Sequence, residues 1–151
     1  MKNAFALALL VLVFNILSTA QTQVAKTLSI APEQVQRVEI LYFPERVLLR
    51  AALSPERLEQ LYQYKLEIRN VRQSAEWEQF RSLLGKTSVT PSGHSYDHRT
   101  AVLLFDTTGR RIASVYFDRF GRGGTMDSDS GSIMGDMYPW AKSLLKGVTE
   151  Q

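Results

Sequence analysis

The sequence contains no cysteine among its 151 residues. Disulfide bonds, thiol nucleophiles and cysteine-ligated zinc are therefore excluded, and packing and hydrogen bonds must stabilise the fold. Histidine is almost as scarce, with only His94 and His98 in one short segment. No G-x-S-x-G turn is present to carry a nucleophilic serine. The glycine-rich stretch 121–124 lacks the Gly-Lys-Ser/Thr ending of a phosphate-binding loop.

A large excess of one charge is also missing. The chain carries 18 basic and 15 acidic residues, a net charge of +3 at neutral pH. This mild excess does not by itself indicate nucleic-acid binding.

Only one long apolar run occurs, over residues 4–17, and Asn15 alone interrupts it. Lys2 precedes the run and Ser18-Thr19-Ala20 follows it, which is the three-part pattern of a secretory signal peptide. The alternative is a membrane anchor, but the run is shorter than the roughly 20 apolar residues that span a bilayer. We therefore predict a signal peptide over 1–20 and a single exported domain over 21–151. Its polar start, 21–34, is predicted to be a flexible lead-in.

Four segments have the pattern of β-structure. Residues 38–43 are rich in β-branched and aromatic side chains, and 64–69 alternate between apolar and charged. Residues 101–106 and 112–118 flank a turn with glycine, which predicts a hairpin. Residues 122–134 are predicted to be a glycine-rich loop with room for one short edge strand.

Three segments have the pattern of helices. Ser54 followed by a proline predicts the start of the first helix, and Ser74 is predicted to cap the second, which Gly85 ends. A last helix is predicted from about Asp136 to Gly147. The order of elements predicts the α+β class: an antiparallel or mixed sheet of four to five strands with two to three helices packed on one side.

The long loop 87–100 contains the histidine cluster. His94, Asp97 and His98 are residue types that ligate zinc or copper, so they form a candidate metal site. The alternative is a pair of exposed polar histidines. The acidic stretch 127–131 does not fit an EF-hand, whose glycine falls at the sixth position, although a looser calcium site with Asp136 stays open.

A charged rim is predicted where the hairpin's two ends meet. With the turn near residues 108–109, the start of one strand and the end of the other lie together. Arginine forks there suit carboxylates or phosphates, and two aromatic residues offer anchors. The candidate binding residues are Tyr96, Asp97, His98, Arg99, Asp118, Arg119, Phe120 and Arg122. The alternative is a set of surface ion pairs of little energetic value.

The stretches 38–44, 64–69 and 116–121 resemble those of small exported bacterial proteins of unknown function. In size and layout the chain is more loosely similar to periplasmic immunity and inhibitor proteins. The resemblance implies binding to a toxin or hydrolase without catalysis, and it implies no active-site residue.

The leading hypothesis is therefore a non-catalytic binding protein of the cell envelope, in the periplasm or secreted, with a protein partner and no cofactor. One alternative is a small periplasmic enzyme or metal-dependent hydrolase that uses His94, Asp97 and His98. Another is a binder of anionic envelope lipid or glycan.

Overall fold

A computed structural model describes residues 23–149, so the predicted signal peptide lies outside the described residues. Two 3-10 turns, three α-helices and eight β-strands form within this range. The helices are α1 (Pro55–Leu61), α2 (Trp77–Leu84) and α3 (Met137–Thr149). The strands are β1 (Lys26–Thr27), β2 (Arg37–Tyr42), β3 (Tyr64–Arg69), β4 (Ser88–Pro91), β5 (His98–Phe105), β6 (Arg111–Asp118), β7 (Gly123–Met126) and β8 (Asp129–Met134).

The strands form one antiparallel sheet in the order β1-β4-β8-β7-β6-β5-β2-β3. The α+β class is confirmed, and so is the predicted hairpin, which is β5–β6. The predicted strand number is wrong, because the sheet has eight strands rather than four to five. The additional strands are the short ones: β1, β4, β7 and β8.

The β7–β8 hairpin was not predicted from the sequence, because its segment is rich in glycine and aspartate, which are depleted in β-strands. Asp127 and Ser128 form its turn, since Met126 pairs with Asp129, and Asp127 takes the left-handed conformation (φ 53°) that such turns require. Gly131 is needed for close approach. A Cβ atom at this position would overlap the carbonyl oxygen of Thr90 on the neighbouring strand β4.

We expect Gly131→Ala to lower the free energy of unfolding by about 2 kcal/mol, because a backbone carbonyl cannot move aside as a side chain can. Urea unfolding measures the change. Gly85→Ala is the control, since a Cβ there meets no atom within 4 Å. Equal stabilities of the two variants would contradict the close packing of β4 on β8.

The larger core covers one face of the sheet, here called the first face. It includes Val38, Ile40, Val102 and Val115 from the central strands. Helices α2 and α3 close this side, and the rings of Phe80 and Trp140 stack between them at 5.3 Å.

The second face carries a smaller core built on Leu41, Leu103 and Tyr116, and Leu58 of α1 packs onto it. The helices therefore lie on both faces, which corrects the prediction that all of them pack on one side. Because α1 is only seven residues long, it covers the β2–β5 part of this face. The part formed by β6, β7 and β8 stays open to one side of the helix.

The helix ends agree with the sequence in part. The Ser54 hydroxyl caps α1 by accepting a hydrogen bond from the Arg57 amide (3.3 Å), as predicted. Ser74 does not cap α2, since it closes a 3-10 turn by donating to the Val71 carbonyl, and the helix begins at Trp77. The last helix continues past Gly147 to Thr149.

The segment predicted to be a flexible lead-in, 21–34, is tied to the sheet from residue 26 onward. Strand β1 pairs with β4, and the Leu28 side chain is buried in the larger core. None of the helices between residues 23 and 149 has the length and hydropathy needed to cross a membrane.

Candidate functional site

A cleft of about 590 Å³ opens on the second face, beside α1. Its floor consists of His98 on β5, Ser114 and Tyr116 on β6, Thr125 on β7 and Ser130 on β8. The first turns of α1 form one wall. The loop between β4 and β5, residues 92–97, forms the other. The volume lies in the usual range of ligand-binding pockets, although hydroxyls and carboxylates dominate the lining.

The 92–97 loop reaches this position by crossing the sheet. Strand β4 ends beside β8, where the Ser92 amide donates to the Ser130 carbonyl (3.0 Å), whereas β5 begins beside β6. The Tyr96 ring lies against Gly123 so closely that a Cβ atom there would overlap it. The Tyr96 and Ser92 hydroxyls share a hydrogen bond (3.1 Å) that holds this wall together.

An irregularity at the start of β5 determines the cleft floor. His98 pairs with Asp118 and Thr100 with Phe117, so Arg99 is an extra residue, a β-bulge. The bulge places the neighbours His98 and Arg99 on the same face. The His98 ring contacts Tyr116 edge-on (5.9 Å), and the Arg99 guanidinium lies 5.4 Å from the Phe43 ring centre, both in the smaller core.

His98 is fixed by two hydrogen bonds. Its Nδ1 lies 2.8 Å from the Leu53 carbonyl oxygen, which can only accept, so Nδ1 carries the proton. Its Nε2 then accepts from the Thr125 hydroxyl (3.0 Å), which lies 2.9 Å from the Ser130 hydroxyl. Burial lowers the pKa of His98, outweighing the hydrogen bond to Leu53, so the ring is neutral at neutral pH.

This chain from Ser130 through Thr125 to His98 resembles a proton relay, but the group that orients the imidazole is a backbone carbonyl. A catalytic triad uses a carboxylate there to stabilise the imidazolium. Burial without such a charge disfavours the protonated ring. The chain therefore fixes the floor of the cleft and gives it a rigid, polar surface.

A second network lies at the side of the cleft near α1. Glu59 accepts hydrogen bonds from Tyr116 and from Arg111 (2.6 Å). Burial and the hydrogen bond to Glu59 raise the pKa of Tyr116, so its hydroxyl stays protonated.

Acidic groups dominate the charge of the cleft. Its lining carries three carboxylates, Glu56, Glu59 and Asp127, and one guanidinium, Arg111. A hydrogen bond from Ser54 lowers the pKa of Glu56, which keeps this exposed carboxyl ionised. Between residues 23 and 149, neither Glu56 nor Asp127 has a cation within ion-pair distance. The cleft is thus negative on a protein of net charge +3.

The predicted rim separates into three groups. Asp97 and Arg99 bind each other (2.6 Å), and Arg99 also donates to the carbonyls of Pro44 and Val47. Asp118 closes a turn by accepting from the Phe120 and Arg122 amides. These three side chains are used inside the protein. Arg119, Phe120 and Arg122 are exposed, and Tyr96 and His98 line the cleft.

The candidate metal sites are not formed. Within residues 23–149, no three His, Asp or Glu side chains come close enough to hold a metal ion. His94 is exposed and its Nδ1 lies 3.0 Å from the Ser92 carbonyl, whereas both ring nitrogens of buried His98 are engaged. The looser calcium site fails too, since Asp129 pairs with Lys26 (2.7 Å) and Asp127 accepts from the Ser114 amide.

Most of the cleft was not predicted from the sequence: Glu56, Glu59, Arg111 and Thr125 were not candidate site residues, and Asp127 was named only within the acidic stretch 127–131. Each comes from a different part of the chain, or looked like an ordinary turn or helix residue. Of the predicted binding residues, Tyr96 and His98 line the cleft.

No family model matches this sequence, no curated protein matches it, and no solved structure matches its fold.

Proposed function

We propose that this chain is a non-catalytic binding protein of the cell envelope that receives a basic segment of a protein partner in the acidic cleft. The negative charge of the cleft on a net-positive protein carries the proposal. Complementary charge steers encounter and determines which partners are accepted. The predicted signal peptide supports the location, and the engaged state of His98 supports binding rather than catalysis.

The form of the cleft favours a protein segment over an apolar small molecule. Glu56, Ser95, Asp127 and Ser128 at its mouth are exposed, so a projecting side chain of a folded partner can reach the floor. Lysine and arginine side chains of the partner donate hydrogen bonds, which the carboxylates of Glu56 and Asp127 can accept. The partly exposed ring of Tyr96 supplies an aromatic surface for the side-chain stem or the cation.

The experiment compares a capped tetralysine peptide with a capped tetraglutamate peptide by NMR titration. We expect tetralysine alone to shift the amides of Ser114, Thr125 and Ser130. The double variant Glu56→Gln/Asp127→Asn should weaken this binding by about tenfold or more, since each lost charge pair contributes on the order of 1 kcal/mol.

The matched control is Glu33→Gln/Glu78→Gln, which removes two exposed carboxylates outside the cleft. Equal weakening in both double variants would show general attraction to the surface and would overturn the assignment. Pull-downs from an envelope fraction extend the test to the partner. A protein retained by wild type and by the control, but lost with Glu56→Gln/Asp127→Asn, is the expected result.

A further inference from the structure

The end of the sheet at which β2 and β6 finish is positively charged, in contrast to the negative cleft. Antiparallel pairing brings several connections to this end, including the segment after β2, the one after β6, the one before β3 and the one before β5. The first two of these segments carry exposed arginines and exposed apolar side chains. These residues are here called the basic end: Arg46, Leu48, Leu49, Arg50, Arg119, Phe120 and Arg122.

Helix α3 holds the two loops side by side. The Tyr138 hydroxyl donates to the Arg119 carbonyl (2.8 Å), and Lys142 binds Glu45 (2.8 Å). Residues four apart share one face of a helix, about 6 Å from each other. The loop at 45–50 and the turn at 119–122 therefore lie next to each other rather than on opposite sides of the molecule.

The arginines of the basic end are available for a partner. In the part of the chain that the structure describes, none of the four forms an ion pair. Of the acids beside these arginines, Glu45 pairs with Lys142 and Asp97 with Arg99, whereas Asp118 accepts two backbone amides and keeps a single negative charge beside the four arginines. The local charge is consequently positive.

Exposed apolar side chains stand among these charges. Leu48 is 93% exposed and Phe120 is 63% exposed, and Leu49 lies beside Leu48. The Arg119 guanidinium stacks over the Phe120 ring at 4.5 Å, so an aromatic ring and a cation project together. Apolar side chains surrounded by arginines suit the interface of an anionic bilayer. The apolar side chains can insert among the acyl chains while the arginines bind the lipid phosphates.

We infer that the basic end docks this domain on the surface of an anionic membrane. The surface lies at the end of the sheet, whereas the floor of the acidic cleft lies on its second face. The inference stands independently of what the cleft binds.

Vesicle sedimentation tests it with two lipid compositions: phosphatidylcholine alone and phosphatidylcholine with about one third phosphatidylglycerol. We expect binding to the anionic vesicles only, and a loss of binding as salt screens the charges. Arg119→Gln/Arg122→Gln should weaken binding roughly 30-fold, the equivalent of about 1 kcal/mol per arginine. Leu48→Ser/Phe120→Ser should weaken it about tenfold or more while leaving the salt dependence unchanged.

The control variant, Arg72→Gln/Arg110→Gln, removes the same charge at the opposite end of the sheet and should bind as wild type does. All the substituted side chains are exposed, and thermal unfolding confirms that each variant is folded. Equal binding to both lipid compositions, or equal weakening by the control, would overturn the inference. Binding to immobilised polyglutamate without binding to vesicles would also overturn it and would assign the basic end to an acidic protein.

Discussion

Replacing Arg99 with leucine should lower the free energy of unfolding by about 3–5 kcal/mol, the largest loss we expect from a single substitution of a charged side chain here. Arg99 is 6% exposed and binds Asp97 through two nitrogens, at 2.6 and 2.8 Å. It also donates to the Pro44 and Val47 carbonyls, so one side chain ties two loops together. Urea unfolding measures the loss, and the amides of residues 45–53 should exchange faster with solvent.

Arg119→Leu is the matched control, because it removes the same group from an exposed position. Its effect on the free energy of unfolding should stay within about 0.5 kcal/mol. Arg99→Lys should recover only part of the loss, since an ammonium group keeps the charge but not the planar fork. Similar free energies of unfolding for Arg99→Leu and Arg119→Leu would contradict the buried, stabilising role of Arg99. Arg99 would then be an exposed residue of the predicted charged rim.

Replacing His98 with leucine should cost about 2–3 kcal/mol at neutral pH, because two buried hydrogen bonds are lost. It should also flatten the dependence of stability on pH. Burial lowers the pKa of His98 in the folded protein below its ordinary value of 6.5. As the pH falls through 6.5, the unfolded chain takes up a proton that the folded protein does not, so the free energy of unfolding decreases.

Urea unfolding at several pH values between about 7.5 and 5.5 tests this sign. Wild type should lose stability on acidification with a slope of at most about 1.4 kcal/mol per pH unit. His94→Leu, which replaces the exposed histidine, should keep the wild-type slope, whereas His98→Leu should lose most of it. A wild-type protein whose stability rises on acidification would show that His98 is protonated in the fold.

Sequence patterns predicted the elements whose conformation depends on neighbouring residues, through side-chain periodicity, helix capping and turn residues. The alternation at 64–69 gave β3, and the Ser54-Pro55 pair gave the start of α1. The apolar runs on either side of Gly109 gave the β5–β6 hairpin. In each of these segments, side-chain periodicity and turn chemistry indicate the same conformation that the tertiary structure uses.

The charged rim was predicted from a regular hairpin register, and the structure departs from that register. A regular hairpin register puts Arg99 opposite Asp118, but the bulge moves the pairing by one residue, to His98. That single insertion puts His98 on the same face as Arg99, so Arg99 binds the loop at 44–47 while His98 contacts Thr125. A bulge leaves no signal in the residue pattern, since it depends on which strands lie on either side.

By itself, the sequence determined the α+β class, the strands with clear periodicity and the absence of thiol chemistry. The tertiary structure alone decided that the glycine-rich stretch 122–134 forms two inner strands, because the close approach of Tyr96, β6 and β4 explains its glycines at 123, 124 and 131. It also decided which charged side chains between residues 23 and 149 form ion pairs and which do not. Glu56, Asp127 and Arg111 meet at one cleft from distant parts of the chain, and a pattern along the chain carries no information on such long-range contacts.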